Sequence, residues 1–366
     1  MHIKCTKKNL VDGISIVQKA IVGKSPMPVL EGIYLEAKNN KLLLRGTDID
    51  LSIETIIDCN IIEEGKLVID SKLFGDIVRK LPNSEINLEI SEANNLLISC
   101  EKSKFNLLYL DPEDFPKLPE IEEEDPIVIE EKILRDLIKG TSFSVAVDET
   151  RPILMGALFE VKNKVLNMVA LDGFRLALRS EYLDSSADIS LVIPGKTLNE
   201  VYKLLSDTDN KIEITYNNNH IMFKILDTKI VSRLLSGDFI NYDTIIPSDN
   251  KLSFIVKRED LSRSIERASL MAKDGLSKLI KLNIENDTIV ITSNSQFGTV
   301  REEVPVSIKG DPIEIAFNAN YLLDVFKVID EEEILFEMTS SVSPAIIKNT
   351  FNDNAIYMVL PVRLGR

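Results

Sequence analysis

The chain has 366 residues, a net charge of −15 and 44% hydrophobic residues, which is enough for several domains with buried cores. Its three cysteines, Cys5, Cys59 and Cys100, form no CxxC motif, so the composition excludes a disulfide framework and predicts reduced thiols in a cytoplasmic protein. No run approaches the roughly 18 apolar residues of a membrane span, and the N-terminus lacks the apolar core of a signal peptide.

One pattern of strand, polar cap and amphipathic helix occurs three times at a spacing of 124 residues. The copies read VIDSKLFGDIVRKL from Val68, VIPGKTLNEVYKLL from Val192 and AFNANYLLDVFKVI from Ala316. A repeat of this length matches an autonomous domain, whereas a solenoid repeat is about 20 to 50 residues long. We therefore predict three copies of one domain, with boundaries in acidic and proline-bearing segments, at residues 1–121, 125–247 and 251–366.

The elements within each copy follow the order helix, strands, helix, strands. Apolar residues three and four apart predict first helices over 9–21, 131–143 and 258–270, and second helices over 71–81, 195–205 and 318–329. Alternating segments predict antiparallel strands, including a hairpin over Lys211–Ile225 that turns at its asparagines. The predicted class is α+β, with an antiparallel sheet and two helices in each domain.

The charge is unevenly distributed between the predicted helices and the rest of the chain. Counted over residues 7–20, 71–81, 130–140, 195–205, 257–268 and 318–329, the predicted helices together carry +6, so the remainder carries −21. A strongly acidic protein argues against a nucleic-acid partner, but basic helices facing one space would reverse that argument. Lysines on exposed helix faces also simply keep proteins soluble, and both interpretations stay open.

Residues typical of catalysis are scarce. The chain has two histidines, His2 and His220, and lacks GxSxG, P-loop, GxGxxG and HExxH motifs. Asp48, Asp50 and Asp172 could be the metal ligands of a hydrolase, but aspartates at equivalent repeat positions favour turns. The group from Asp172 to Arg175 offers a large aromatic and an arginine, which are typical of binding hot spots and also of structural core positions.

The three repeats, the motif ALDGFRLAL and the ending YMVLPVRL together resemble the beta sliding clamp family of bacterial DNA polymerase III over the whole chain. The resemblance implies a protein without catalytic residues, metal or cofactor. It implies a head-to-tail homodimer that forms a six-domain ring around double-stranded DNA, without sequence preference. It further implies that the ring tethers the DNA polymerase III alpha subunit, the clamp loader and other proteins with clamp-binding motifs. A clamp-like interaction scaffold that does not encircle DNA is the alternative.

Three sets of residues match functional positions of the family. The DNA-binding positions are Lys24, Lys72, Arg79, Arg151 and Lys196. The pocket for partner peptides comprises Leu154, Leu171, Gly173, Phe174, Arg175, Leu176, Ile240, Thr244, Ile245, Asn318, Tyr321, Val342, Leu360, Pro361, Val362, Arg363 and Leu364, which predicts an aliphatic floor with an arginine rim. The dimer interface pairs Phe105 and Leu107 with Leu270 and Met271 of the other chain.

The chain departs from the family pattern at a few of these positions. Ile240 replaces a common proline, Thr244 a basic residue and Phe174 a histidine, which together predict a more apolar pocket. Gly365 and Arg366 extend past the usual terminal leucine, where a displaced carboxylate would alter the rim.

Overall fold

The computed structural model describes residues 1–91, 94–122, 125–272 and 278–363. The chain divides into two compact units. Unit 1 combines residues 1–132 with 200–234, and unit 2 combines residues 133–199 with the chain from residue 235 onward. The central copy of the repeat thus contributes a part to each unit. No helix among the described residues is long and apolar enough to cross a membrane.

Strands dominate both units, and they alternate with six helices among the described residues. The strands are β1 (His2–Thr6), β2 (Gly32–Lys38), β3 (Lys41–Thr47), β4 (Leu51–Asp58), β5 (Asn60–Glu63), β6 (Gly65–Asp70), β7 (Glu85–Ser91), β8 (Asn95–Cys100), β9 (Ser103–Leu110), β10 (Ile127–Glu130), β11 (Gly156–Lys162), β12 (Val165–Leu171), β13 (Arg175–Tyr182), β14 (Ile189–Pro194), β15 (Lys211–Tyr216), β16 (His220–Ile225), β17 (Thr228–Arg233), β18 (Leu252–Lys257), β19 (Leu279–Glu285), β20 (Thr288–Ser295), β21 (Gly298–Pro305), β22 (Ser307–Gly310), β23 (Ile313–Asn318), β24 (Glu333–Met338), β25 (Ala345–Asn349) and β26 (Ala355–Val359). The helices are α1 (Lys7–Val17), α2 (Ser71–Lys80), α3 (Glu131–Thr141), α4 (Gly195–Leu204), α5 (Arg258–Ser269) and α6 (Ala319–Phe326).

Unit 1 contains one antiparallel sheet of 13 strands in the order β10-β15-β16-β17-β4-β3-β2-β6-β9-β8-β7-β1-β5. Strand β17 of the central copy joins strand β4 of the first copy, with Ser232 opposite Leu51. A hydrogen bond of 2.9 Å between the hydroxyls of Thr55 and Thr228 crosses the same pair of strands. The sheet therefore runs without a break from the first copy into the central copy.

Unit 2 contains a nine-stranded sheet in the order β14-β11-β12-β13-β26-β25-β24-β18-β22 and a four-stranded sheet in the order β21-β20-β19-β23. Here β13 of the central copy joins β26 of the last copy, with Arg175 opposite Val359. Leu51 and Arg175 are 124 positions apart, so the two joins use the same strand position of the repeat. The helices and antiparallel sheets confirm the predicted α+β class.

The helices lie where the apolar periodicity predicts them, with ends shifted by a few residues. Two of the three predicted first helices end early because 3₁₀ turns replace their last residues, at Gln18–Ala20 and Ser142–Ser144. Side chains cap three N-termini: Thr6 for α1, Asp70 for α2 and Asn318 for α6 each accept a backbone N–H of the first turn. Such caps supply partners for N–H groups that a helix leaves unpaired.

Helices α1 and α2 pack closely together in unit 1. Their apolar faces are buried, with Leu10 and Ile14 in α1 and Phe74 in α2 all at most 1% exposed. A Cβ atom at Gly75 would lie 2.6 Å from Nε2 of Gln18, which itself donates to the carbonyl oxygen of Ser71 at 2.7 Å. The absence of a side chain at Gly75 therefore permits the close approach.

Candidate binding sites

The turn between β12 and β13 in unit 2 is organised by one carboxylate. Oδ1 of Asp172 accepts the backbone N–H groups of Phe174 at 2.9 Å and Arg175 at 3.0 Å. Gly173 between them has φ of +90°, a conformation in which a Cβ would be strained. The predicted turn role of Asp172 is confirmed, and the turn leaves the Phe174 ring 59% exposed.

Arg175 forms the centre of a buried network. Its Nε donates to Oδ2 of Asp172 at 3.0 Å, its Nη1 to Oδ2 of Asp324 at 2.8 Å and its Nη2 to the carbonyl oxygen of Phe143 at 2.7 Å. The guanidinium carbon lies 4.7 Å from the ring centre of Tyr321 and 5.3 Å from that of Phe143, within cation–π range. The side chain is 12% exposed, so Arg175 acts as an internal brace, whereas Arg363, another arginine of the predicted pocket, is exposed.

The acidic partner of this brace is held ionised. Burial raises the pKa of Asp324, but the hydrogen bonds and charges of Arg175 and Lys327 outweigh burial and leave the pKa below its ordinary value. Asp324 belongs to α6 and Arg175 to β13, so the ion pair fixes this helix against this strand. Charge-assisted hydrogen bonds of this kind are stronger than neutral ones.

An exposed aromatic surface lies on the brace. The rings of Phe174 and Tyr321 are stacked, with centroids 6.2 Å apart and an interplanar angle of 23°. Burial, with a smaller contribution from the Asp172 carboxylate, raises the pKa of Tyr321 and keeps the phenol neutral. We call these two rings the aromatic platform; they present a flat apolar face beside the last segment of the chain.

The last described segment of the chain is tied to the same place by its backbone. Leu360 N–H donates to the carbonyl oxygen of Phe174 at 2.8 Å, and Val362 N–H donates to that of Ala316 at 2.8 Å. Leu360 and Val362 are half-buried, as is Pro361. The structure therefore brings together Phe174, Arg175 and Tyr321 with the residues from 360 to 362.

The predicted aliphatic floor is a closed cluster. Leu154, Leu171 and Leu176 are at most 3% exposed, so they support the surface from below. They pack with residues that sequence reasoning missed, among them Tyr242, Ile346 and Met358. The only sequence signal for these three was their place in apolar, strand-forming or aromatic segments.

The remaining pocket candidates differ in exposure and in structural role. Ile240, Thr244, Ile245, Val342 and Arg363 are exposed. Asn318 caps α6, its Oδ1 accepting the N–H of Asn320 at 3.0 Å. Leu364, with Gly365 and Arg366, lies outside the described residues.

The basic candidates are all exposed. Lys72 and Arg79, both on α2, line one groove of about 430 Å³ beside the end of α1. Arg79 donates to Oε1 of Gln18 at 3.1 Å and to Oδ1 of Asp76 at 3.0 Å. In unit 1 Lys24 lies in the loop after α1. In unit 2 Arg151 precedes the 3₁₀ turn Pro152–Met155, and Lys196 lies in the first turn of α4.

The dimer candidates lie at sheet edges or next to a helix end. In β9 of unit 1, Phe105 is 39% exposed and Leu107 half-buried, and pairing with β6 involves only Tyr109 and Leu110. In unit 2, Leu270 is 55% exposed and Met271 half-buried, directly after α5. Strand β21 is the outer strand of the four-stranded sheet.

The aspartates considered as metal ligands have other roles. Oδ1 of Asp48 accepts the N–H of Leu51 at 2.7 Å, as Asp172 does for its own turn. Asp50 lies 3.9 Å from Arg233. Among the described residues no group of three or more His, Cys, Asp and Glu side chains could hold a metal ion. The geometry thus assigns Asp48 and Asp172 to turns.

Comparison with known proteins gives one consistent family. Models of the N-terminal, central and C-terminal domains of the DNA polymerase III beta subunit match residues 1–119, 128–241 and 243–363. The chain is 34% identical to the beta sliding clamp of Staphylococcus epidermidis, covering 99% of each chain, and 34% identical to that of Staphylococcus aureus, covering 94% of each.

Solved structures agree. The DNA polymerase sliding clamp of Bacillus subtilis is 34% identical and superposes with a TM-score of 0.97, covering 100% of both chains. The sliding clamp of Pseudomonas aeruginosa, solved with a ligand, is 29% identical with a TM-score of 0.94, again over 100% of both chains.

Proposed function

This chain belongs to the DNA polymerase III beta subunit family, and we propose that it is a DNA sliding clamp. In that role two chains form a ring around duplex DNA and tether the replicative polymerase, which makes synthesis processive. The observation that carries the proposal is the match of all three family domains, in order, to residues 1–119, 128–241 and 243–363. As a clamp, the chain would act without catalysing a reaction itself. Three free thiols, Cys5, Cys59 and Cys100, support a cytoplasmic protein.

The charge distribution supports encirclement of DNA. Basic residues on exposed helical and loop positions would face the duplex, while the acidic remainder repels phosphate elsewhere. The proposed contacts are to the DNA backbone and carry no sequence preference, which suits sliding. They are made by Lys24, Lys72, Arg79, Arg151 and Lys196. Each side chain is exposed, and its charge is screened over about 8 Å at physiological salt. We therefore expect no single one of them to be essential for DNA binding.

The aromatic platform is the proposed anchor for partner peptides. The exposed ring of Phe174 and the half-buried ring of Tyr321, beside half-buried aliphatic residues, suit a short peptide with leucine or phenylalanine side chains. Leu360 and Val362 would form the aliphatic wall, and Arg175 would hold Tyr321 in place. We propose the alpha subunit of DNA polymerase III, the clamp loader and other proteins with clamp-binding motifs as occupants.

We propose that the dimer closes through sheet edges. The first half of β9 has an open edge in unit 1, and β21 is an outer strand in unit 2. An unpaired edge is a template for another strand, and Phe105 adds an exposed ring to it. Head-to-tail pairing of β9 with β21 of a second chain would close a ring, with Leu107, Leu270 and Met271 beside the seam.

The proposal is tested by primer extension on a single-stranded circle with the cognate polymerase and clamp loader. Product length should rise sharply when the chain is present. Phe174→Ala should weaken binding of a polymerase-derived peptide by about 30-fold, corresponding to the roughly 2 kcal/mol typical of an interface hot spot. Its product length should fall accordingly.

Phe351→Ala is the matched control, because Phe351 is 88% exposed elsewhere in unit 2. It should leave both product length and peptide affinity unchanged. Product length that is the same with and without the wild-type chain would contradict the proposed function. Equal peptide affinity of the Phe174 variant and the wild type would contradict only the assignment of the aromatic platform as the peptide-binding site.

A further inference from the structure

The turn between β3 and β4 in unit 1 reproduces the turn of the aromatic platform in unit 2. Asp48 N–H donates to the carbonyl oxygen of Leu51 at 3.1 Å, and Asp172 N–H donates to that of Arg175 at 3.2 Å. Each turn also receives the strand of the following copy through one backbone bond of 2.8 Å, Arg233 N–H to Asp50 in unit 1 and Leu360 N–H to Phe174 in unit 2. All the turn positions are 124 residues apart. The same frame is therefore built twice.

A groove of about 300 Å³ opens at this turn in unit 1. Its walls come from the β3–β4 turn, the segment after β9, the β15–β16 hairpin and the end of β17. The residues that define its chemistry are Ile49, Asp50, Pro116, Lys117, His220 and Arg233. The volume is at the lower end for ligand sites, so it fits a few side chains and not a domain.

Ile49 is strained and exposed at the same time. Its φ is +84°, in the left-handed region that disfavours β-branched residues, and its side chain is 57% exposed. Gly173 occupies the equivalent position of the other turn with φ of +90°. Because core packing does not compensate the strain at Ile49, the side chain has no evident role in folding. Strain of this kind concentrates at binding sites.

The groove is cationic although the chain has a net charge of −15. Lys117 and Arg233 are both exposed, and the single acidic wall residue, Asp50, lies 3.9 Å from Arg233. His220 is paired with Arg233 across β16 and β17. Burial lowers the pKa of His220, and the charge of Arg233 adds to this effect, so the imidazole is neutral at pH 7 and available for hydrogen bonding.

We propose that this groove is a second peptide-binding site, selective for a short linear segment in which an apolar side chain stands next to an acidic one. The apolar side chain packs on Ile49 and Pro116. The carboxylate contacts Lys117 and Arg233, which lie in the same groove. The site differs from the aromatic platform in taking an acidic group, so partners could occupy the two sites without competing.

The test starts from a random heptapeptide library displayed on phage and selected on the full chain carrying Phe174→Ala, which removes the platform ring. Enriched peptides are synthesised with a fluorophore and titrated against the wild type, Lys117→Glu and Lys38→Glu. The last is the matched control, because Lys38 is an exposed lysine at the end of β2 in the same unit. Thermal unfolding of each variant verifies folding.

The expected peptides carry an adjacent apolar and acidic pair and bind the wild type and the Phe174 variant equally. Lys117→Glu should weaken them at least ten-fold and Lys38→Glu less than two-fold. The proposal is overturned if no peptide is enriched, if enriched peptides ignore Lys117→Glu, or if a ten-residue oligo-dT displaces them, which would assign the groove to nucleic acid. Retention of the Lys117 variant on circular DNA, measured in parallel, separates this outcome from the proposed function.

Discussion

The β3–β4 turn and the β12–β13 turn share a backbone and differ in almost every exposed side chain. In both, an aspartate at the first turn position accepts the N–H three residues on, from Leu51 in one and Arg175 in the other. The platform turn then carries Gly173 and Phe174, where the other carries Ile49 and Asp50. The comparison shows that the repeat keeps one turn geometry and changes the exposed side chains that the turn carries.

The fourth position of the two turns shows a second difference. Leu51 is 2% exposed and packs as an ordinary core residue. Arg175 has its guanidinium between two rings and bonds to two carboxylates and a carbonyl. An apolar contact stabilises one turn, and a polar network braces the other, which carries the aromatic platform.

The largest expected effect comes from removing the brace. Arg175→Ala removes the ion partner of Asp172 and leaves Asp324 paired with Lys327 alone, so we expect a loss of about 2 kcal/mol in the free energy of unfolding. Urea unfolding measures it. Arg363→Ala, at an exposed arginine in the same unit, should change stability by less than about 0.5 kcal/mol. A loss below about 1 kcal/mol in Arg175→Ala would contradict the bracing role.

Substitution at the second turn position, Ile49 or Gly173, gives the next largest effect on stability, with opposite signs in the two turns. Ile49→Gly should stabilise the protein by up to about 1 kcal/mol, because relief of left-handed strain exceeds the entropic cost of glycine. Gly173→Ala should destabilise it by about 1 kcal/mol through backbone strain alone, because the added Cβ meets only Nη1 of Arg151 at 4.0 Å.

Thermal unfolding of the two variants is the appropriate measurement. Shifts of the same sign would show that the turns do not share the conformation described above. Lys38→Glu is the reference variant for Ile49→Gly, because it should leave thermal unfolding unchanged.

The smallest expected effect is a pH dependence confined to the braced turn. The pKa of Asp324 is lower in the folded chain, so its ion pair contributes stability above the ordinary aspartate pKa of about 4 and loses it as pH falls through the folded value. Asp324→Asn should cost about 1 kcal/mol at pH 7, and the difference from wild type should shrink below about pH 4.

Urea titrations of both proteins between pH 3 and 7 measure that difference. A gap that stays constant over this range would mean that the Asp324 carboxylate does not stabilise the fold through its charge. Asp50→Asn, which replaces a carboxylate that is 73% exposed in the other turn, is the comparison variant.

Local features of the fold were predictable from the sequence. Helix periodicity located all six helices among the described residues, and the asparagines correctly marked the hairpin between β15 and β16, where Asn217 Oδ1 accepts the N–H groups of Asn219 and His220. These features depend on residues a few positions apart. The turn roles of Asp48 and Asp172 were predictable for the same reason.

Features that depend on residues far apart in the sequence were not predictable. The internal bonding of Arg175 could not be predicted, because its acceptor on α6, Asp324, is 149 residues away. Likewise Tyr242 joins the aliphatic cluster while its hydroxyl donates to Glu160 at 2.8 Å, 82 residues away. No local sequence pattern predicts such a pairing, because only folding brings the two residues together.

The measurement that tests the clamp most directly is retention on DNA of defined topology. The chain is loaded by its clamp loader onto nicked circular duplex, and bound protein is quantified in moderate salt before and after a restriction enzyme linearises the circle. A ring held by topology stays on the circle and is lost from the linear form, because its individual charge contacts are weak. Equal loss from both forms would contradict encirclement and leave a clamp-shaped scaffold in its place.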